Sequence, residues 1–309
     1  MRTVVTGGAG FIGSNLVDAL LDRGDDVTVV DDLTTGRRAN LDSALGRGAE
    51  LVAADIRDAA GVVALVEERA PEVVFHLAAQ IDVRRSVAEP DFDASINIGG
   101  TANLLEGARR AGTRRFVFVS TGGAIYGEGE GQQLPLPEDA PVEPLSPYGQ
   151  SKLAAEGYVA LYRRLHGLSG ASLRLGNVYG PRQDPLGEAG VIAIFCGCLR
   201  RGDAATVFGD GEQTRDYIYV GDVVAAILAA GDSETTGPFN IGTGAETSLL
   251  DLIERLRRAS GEDFAVEFAP ERVGEVQRIS IDPGRAAREL DWSAATGLDD
   301  GLRLTLASV

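Results

Sequence analysis

The sequence predicts an α/β fold, a doubly wound parallel sheet with a smaller C-terminal lobe. Three observations lead there. Short β-branched runs alternate with amphipathic helical stretches as far as Leu175, a glycine-rich turn sits at the first strand-to-helix junction, and the alternation breaks down after Gly176.

Taken in order, 3–6, 27–31, 51–53, 73–76, 116–120 and 172–175 are short runs rich in Val, Ile, Phe and Thr. They are nearly continuous in apolar character, as strands covered on both faces are. Between them, 11–23, 59–69, 92–111 and 147–166 carry apolar residues at helical spacing and supply the crossovers. Beyond Gly176, residues 177–190 are dominated by Gly, Pro and polar side chains. Smaller elements follow: a helix at 191–201, strands at 206–208 and 217–219, and helices at 222–230, 248–260 and 285–290. The expected organisation is a dinucleotide-binding domain over 1–176 and a substrate lobe over 177–309, with some of its segments returning to the main sheet.

Composition narrows the function classes. With 309 residues the chain can bury a large core. It has no apolar run of about 18 residues, the length a spanning helix requires, and Met1-Arg2-Thr3-Val4-Val5-Thr6 shows no signal-peptide pattern. The expectation is a cytoplasmic protein. A net charge of −17 argues against nucleic acid as a partner, because phosphate binding needs basic surfaces. Cys196 and Cys198 lie in an apolar run and read as core filling; with only His76 and His166 besides, no metal-binding spacing exists. Of the 29 basic residues only Lys152 is a lysine. Arginine is a fixed, planar cation, whereas the lysine ammonium is compact and its pKa answers to its surroundings.

The stretch Thr6-Gly7-Gly8-Ala9-Gly10-Phe11-Ile12-Gly13 joins the first strand to the first helix. Gly7 allows the tight turn, Gly10 lets the backbone approach a pyrophosphate, and Gly13 lets helix pack on strand, while the helix N-terminus favours the anion. This is the Rossmann-like arrangement for a dinucleotide. Asp31, at the end of the second strand, is placed to accept from ribose hydroxyls, and a carboxylate there repels a 2′-phosphate. NAD is therefore favoured over NADP, although Arg37 and Arg38 follow closely. Asp32 is either a turn residue or part of the same ribose site. Asp55 either caps the next helix or contacts adenine.

Tyr148 and Lys152 are one helical turn apart and share a face. A phenol titrates near 10, so a tyrosine base needs a neighbouring cation, and the ammonium supplies one. Ser120 and Thr121 end the 116–120 strand at the carboxyl edge, where such sheets bind ligands. Either hydroxyl is suited to bond the reacting oxygen, or simply to cap the strand end; Thr121 is the first candidate and Ser120 the second.

These motifs, with His76-Leu77-Ala78-Ala79-Gln80, Asn97 and Arg174-Leu175-Gly176-Asn177-Val178-Tyr179-Gly180-Pro181-Arg182, resemble the extended short-chain dehydrogenase/reductase family. Within it the chain is most similar to the UDP-glucose 4-epimerase group. The resemblance implies that Gly7, Gly10, Phe11 and Ile12 hold the pyrophosphate of NAD, Asp31 and Asp32 the adenosine ribose, and Asp55 and Ile56 the adenine. Leu77, Ala78, Ala79 and Asn97 line the nicotinamide half. Tyr148 is the base, Lys152 its partner and a second contact to the cofactor. Asn177, Arg215 and Arg272 bind the nucleotide diphosphate, with residues 206–208, including Thr206 and Phe208, near the uracil; Arg182 has the alternative of a surface ion pair. The implied reaction is NAD-dependent 4-epimerisation of a UDP-hexose through a 4-keto sugar, in a homodimer built on 92–111 and 147–166.

One departure stands out. Many epimerases carry the catalytic serine where this chain has Gly122, so the third hydroxyl must come from Thr121, Ser120 or a water. Dehydratases of this family carry acids after the Ser/Thr, where this chain has Gly122-Gly123, which disfavours elimination. UDP-glucuronate stays open through Arg84 and Arg85. UDP-N-acetylglucosamine stays open through Ile279, at a position that tunes room for the N-acetyl group. The alternative of another class is a non-catalytic NAD-sensing protein on the same fold; such proteins typically lose the Tyr/Lys pair that this chain keeps.

Overall fold

The computed structural model describes residues 1–128, 132–185, 190–271 and 276–308. The first half alternates as the sequence indicates: β1 (Arg2–Thr6), α1 (Phe11–Asp22), β2 (Asp26–Asp31), α2 (Asp42–Gly46), β3 (Glu50–Ala53), α3 (Ala59–Arg69) and β4 (Val73–His76). After β4 come α4 (Val83–Ala88), α5 (Pro90–Ala94), a π-helical turn (Ser95–Gly100) and α6 (Thr101–Ala111). Then follow β5 (Arg115–Thr121), the short α7 (Gly122–Ile125), α8 (Pro147–His166) and β6 (Ser169–Leu175).

The second half holds β7 (Asn177–Tyr179), α9 (Val191–Arg201), β8 (Ala205–Phe208), β9 (Thr214–Arg215), β10 (Tyr217–Tyr219) and α10 (Val220–Asp232). It ends with β11 (Gly237–Ile241), β12 (Thr247–Ser248), α11 (Leu249–Ser260), β13 (Val266–Ala269), α12 (Gly284–Glu289) and α13 (Leu298–Ala307). Among the described residues no helix is long and apolar enough to cross a membrane.

Seven strands form the central sheet in the order β11-β6-β5-β4-β1-β2-β3, and every pairing in it is parallel. The order reverses between β1 and β4, so a crevice opens there at the carboxyl ends of the strands. Two cores flank the sheet. One, with Leu16, Val17, Leu20, Val223, Ile227 and Trp292, packs α1 and α10 on one face. The other, with Val62, Val66, Leu104, Leu105, Ala155 and Val159, packs α3, α6 and α8 on the opposite face. A third apolar cluster, with Phe195, Cys196, Val207, Leu252 and Phe264, belongs to the second half.

Two differences from the sequence reading have physical causes. Residues 92–111 are not one α-helix: α5 and α6 are joined by the π turn. There the Thr101 hydroxyl donates to the Asn97 carbonyl at 2.6 Å while the Asn97 side chain is drawn inward, a local bond that competes with regular α geometry. The turn ends at Gly100, where a Cβ would come within 2.4 Å of Ile56. In addition, β11 joins the sheet edge beside β6, a strand that Pro238 and Asn240 hid from the sequence pattern.

The chain leaves the sheet after β6 at Gly176 and again after β11 at Gly242. A Cβ on Gly176 would lie 2.8 Å from the Asp216 carbonyl, and one on Gly242 would lie 2.5 Å from the Asp216 carboxylate. That carboxylate accepts from Thr243 N and Oγ1, Gly244 N and Ile281 N, and burial raises its pKa against those bonds.

Candidate active site

The glycine-rich turn forms a cradle at the switch point. Gly7 has φ +70°, which favours glycine, and a Cβ on it would lie 2.6 Å from Ala78 N. A Cβ on Gly13 would stand 2.1 Å from Gly7 O, so only glycine lets α1 sit this close to β1. Helix α1 starts at Gly10 with no side-chain cap and no acid in its first turn. The Phe11 and Ile12 amides therefore have no intrahelical acceptor and present an anion-binding end. These features fit a dinucleotide pyrophosphate.

Asp31 is 7 % exposed, and its carboxylate accepts from Ala9 N and Leu33 N, both at 2.9 Å. Burial raises its pKa and these two amides lower it. Each oxygen keeps a lone pair for a ribose hydroxyl, so Asp31 holds the turn as well as offering a ligand site. Arg37 is turned to Asp184 in an ion pair and gives its amide to Ala9 O, which directs it away from a 2′-phosphate role. Asp32 accepts from Thr34 N in an exposed turn.

Asp55 does not cap the following helix; that cap is Asp58, which accepts from Gly61 N. Asp55 instead pairs with Arg57, whose hydrogen bonds lower its pKa. Ile56, expected beside adenine, is 6 % exposed and packs in the core against Gly100, which leaves its backbone rather than its side chain for a ligand.

At the end of β4, Leu77, Ala78 and Ala79 are half-buried along the crevice. Asn97, expected to line the nicotinamide half, is 2 % exposed and committed elsewhere: Oδ1 accepts from Gln80 N, and Nδ2 donates to Gln80 O, Asp93 Oδ1 and Ser151 Oγ. It shapes the crevice by clamping the β4–α4 loop to α8. His76 lies behind. The Thr101 hydroxyl gives its proton to Asn97 O and so accepts from His76 Nε2, leaving Nδ1 to accept from Thr6 Oγ1. Burial pushes this histidine down to about 3, with the Lys152 charge adding to the effect; it is a neutral structural group.

Helix α8 starts at Ser146, whose side chain accepts from Gly149 N, with Pro147 in the first turn. This start fixes Tyr148 at the mouth of the crevice and Lys152 one turn deeper. The Thr121 side chain lies beside the Tyr148 phenol. Burial pushes the phenol up to about 12, and the neighbouring Thr121 pulls it back. Lys152 is 3 % exposed; its ammonium donates to Val119 O at 2.6 Å and lies 4.5 Å from the Phe118 ring centre. Burial pulls it down to about 8, opposed by the Glu156 and Asp93 carboxylates.

The structure separates the two hydroxyl candidates. Thr121 is the one beside Tyr148, whereas Ser120 is 3 % exposed and its Oγ is buried with no hydrogen-bond partner among the described residues. A Cβ at position 122 would stand 2.8 Å from Ile281 Cδ1, so a side chain there requires the end of Ile281 to shift. Gly123 is open by comparison, with Asn177 Oδ1 at 3.6 Å from its would-be Cβ and Thr121 Oγ1 at 4.0 Å. Thr121, Gly123 and Asn177 thus line one pocket wall.

Of the expected diphosphate ligands, Asn177 stands on that wall, with its amide donating to Asp216 O at 2.7 Å, while the Arg215 guanidinium bonds the Thr214 carbonyl at 2.8 Å. Thr206 and Phe208 share the outward face of β8, opposite buried Ala205 and Val207. Arg272 lies outside the described residues. Arg182 makes the alternative ion pair, to Asp18. Arg85 pairs with Glu89 and sits 3.9 Å from the Phe92 ring centre, and Ile279 is 2 % exposed in a cluster with Ile125, Tyr126 and Leu136.

Sequence reasoning missed the polar network behind the site. Arg174 on β6 binds the Glu156 carboxylate, Tyr126 Oη and Glu138 O. Tyr126 donates to Asn240 Oδ1. The available signal was Glu156 itself, one turn past Lys152 on the same face.

The comparisons agree with this geometry. The model of the NAD dependent epimerase/dehydratase family matches residues 3–242. A UDP-glucose 4-epimerase of Mycolicibacterium smegmatis is 48% identical over 99% of this chain and 97% of that protein. Two solved structures are similar throughout. The UDP-glucose 4-epimerase of Thermotoga maritima with UDP-glucose has a TM-score of 0.96 at 44% identity, covering 100% of this chain and 98% of that one. That of Thermus thermophilus in complex with NAD has a TM-score of 0.93 at 42% identity, with the same coverage of 100% and 98%. The chain belongs to the NAD dependent epimerase/dehydratase family.

Proposed function

We infer that the chain is an NAD-dependent UDP-glucose 4-epimerase, an isomerase that interconverts UDP-glucose and UDP-galactose. The observation that carries this is the pairing of Thr121 with Tyr148, with Lys152 one turn deeper on α8 and bonded to Val119 O. NAD bound by the glycine turn and Asp31 would supply the hydride acceptor and donor for sugar C4. Tyr148 removes the C4 hydroxyl proton and gives it back, and Thr121 holds the reacting oxygen by its hydroxyl. With its phenol pushed up to about 12, Tyr148 is a poor base by itself. The Lys152 ammonium and the positive nicotinamide ring both favour the phenolate. Asn177 and Arg215 fit the nucleotide diphosphate, anchoring the substrate away from the sugar so that either face of C4 can be presented.

Arg85 supports UDP-glucuronate poorly, because its guanidinium is held by Glu89 and Phe92. Ile279 is buried behind the wall rather than on it, which leaves UDP-N-acetylglucosamine without a specific contact in its favour. We infer a cytoplasmic homodimer. Tyr158 and Leu165, at 40% and 65% exposure, give α8 an uncovered apolar surface for a second copy. Buried, unpaired Cys196 and Cys198 suit a reducing compartment.

The test is incubation of purified protein, without added cofactor, with UDP-glucose, UDP-N-acetylglucosamine and UDP-glucuronate separately. UDP-galactose should form from the first. A need for continual added NADH, or unchanged UDP-glucose, overturns the reading. Tyr148→Phe should keep NAD bound and lose at least ~10²-fold in turnover; undiminished activity would exclude Tyr148 as the base.

A further inference from the structure

Tyr126 is fully buried and follows α7 directly, as Thr121 directly precedes it. Its hydroxyl is bonded on both sides: it accepts from Arg174 Nη1 and donates to Asn240 Oδ1, both at 2.8 Å. The parallel register sets Arg174 on β6 beside Asn240 on β11, so one phenol spans two strands of the central sheet. Both partners are themselves fixed. Arg174 also donates to Glu156 Oε2 at 2.8 Å and to Glu138 O at 3.1 Å. Asn240 donates from Nδ2 to Leu136 O and from its amide to Glu138 Oε1.

Thr121 needs such an anchor. Gly122 and Gly123 follow it, and adjacent glycines give the backbone the least conformational restraint of its own. Helix α7 is only four residues long, and its N-cap makes no side-chain hydrogen bond. Ile125 packs in the cluster with Leu136, Ile279 and Ile281, but apolar packing is non-directional. The two bonds of the Tyr126 hydroxyl supply the direction. The same turn bears on the helix that carries Tyr148: a Cβ on Gly149 would come within 2.3 Å of Ala124 O. A shift of α7 therefore moves Thr121 relative to the start of α8.

We propose that Tyr126 is a positioning residue: its hydroxyl, bridging Arg174 and Asn240, fixes α7 on the sheet and so sets Thr121 beside Tyr148. Arg174 carries the bridge on to α8 through Glu156, one turn past Lys152. The segments bearing Thr121 and Tyr148 are thus tied to one guanidinium, the first through Tyr126 and the second through Glu156. The alternative is a phenol that only satisfies two buried polar groups. Losing its hydroxyl would then lower stability and leave turnover of the folded protein alone.

Tyr126→Phe keeps the ring and removes the bridge. Its effect on turnover rests on the epimerase reading; its effect on α7 does not. In the full chain with NAD bound, assayed well below its unfolding temperature, kcat for UDP-glucose should fall about 10- to 10²-fold, the scale of a misplacement of about 1 Å. KM and NAD content should stay as in the wild type. An unchanged kcat overturns the proposal, as does a rise in KM with kcat intact. In a Thr121→Ala background the same substitution should lower kcat by less than about 2-fold, because residues that act through one another are non-additive. The full loss repeated in that background overturns the route through Thr121. Amide hydrogen exchange over 121–126 should quicken in Tyr126→Phe while β1 and β4 keep their wild-type rates; unaltered exchange over α7 overturns the anchor. If the wild type leaves UDP-glucose unchanged and this local quickening is seen, the functional reading fails and the anchor stands.

Discussion

At Lys152 the sequence already pointed to the need for a lysine, and the structure supplies the reason. Its ammonium sits in a closed pocket 2.6 Å from Val119 O. A guanidinium keeps the charge but is broader and planar, and does not fit that space. Lys152→Arg should therefore lower kcat by ~10²-fold or more, while the folded protein persists; steady-state assay with circular dichroism checks both. Near-normal turnover would mean that charge alone suffices there. The Tyr148–Lys152 pair was legible because both residues lie on one helix at a fixed spacing. Thr121 was preferred over Ser120 there too, but the strand-end rotation that sets which of them faces Tyr148 was not legible. Nor was the setting of Gly122: Ile281, far along the chain, packs against it and would have to shift to admit a Cβ.

Among the elements, α8 carries most of the site and is held on the sheet by the Glu156–Arg174 pair, whose side chains are 9% and 6% exposed. Breaking a buried pair leaves one charge stranded, whereas replacing both ends with apolar groups does not. Glu156→Leu alone should cost ~3–5 kcal/mol in urea unfolding, and adding Arg174→Met should recover most of it. A double variant no better than the single would assign Arg174's worth to its bonds with Tyr126 and Glu138. The limits of α8 were readable from Ser146, Pro147 and Gly167, a capping residue, a first-turn proline and a left-handed C-cap. The π turn between α5 and α6 was not legible because the local Thr101–Asn97 bond acts together with a tertiary clamp, Asn97 on Gln80, that no local pattern records.

For the whole molecule, His76 sets a pH dependence. Its pKa is about 3 when folded, against an ordinary unfolded value near 6.5. Between those values the unfolded chain binds a proton that the folded one refuses. Stability contributed by this residue is thus complete above the unfolded pKa and falls by ~1.4 kcal/mol per pH unit as pH drops toward the folded one. Buried carboxylates with raised pKa values, Asp31 and Asp216 among them, act in the opposite direction. The comparison that isolates His76 is the slope of unfolding free energy against pH in wild type and His76→Gln. The variant should lose less per unit between pH 6 and 4.5, and equal slopes would remove His76 from the account. The sheet itself was readable from alternation, since each βα unit is local. What the sequence did not show is how the second half rejoins it, because β11 finds its partner across the intervening lobe.

That rejoining has a mechanical consequence. The chain passes between sheet and lobe after β6 and again after β11, and both passages run against Asp216, the first at its carbonyl and the second at its carboxylate. A boundary crossed twice at one point cannot be divided by a single cut. A protease nick near residue 176 would leave β11 and α10 seated on the sheet, so the two halves would stay together. Truncation at the same place would strip the sheet of an edge strand and bare the face that α10 covers. The lobe is therefore less an attachment than a loop drawn out of the sheet and tied back into it at Asp216.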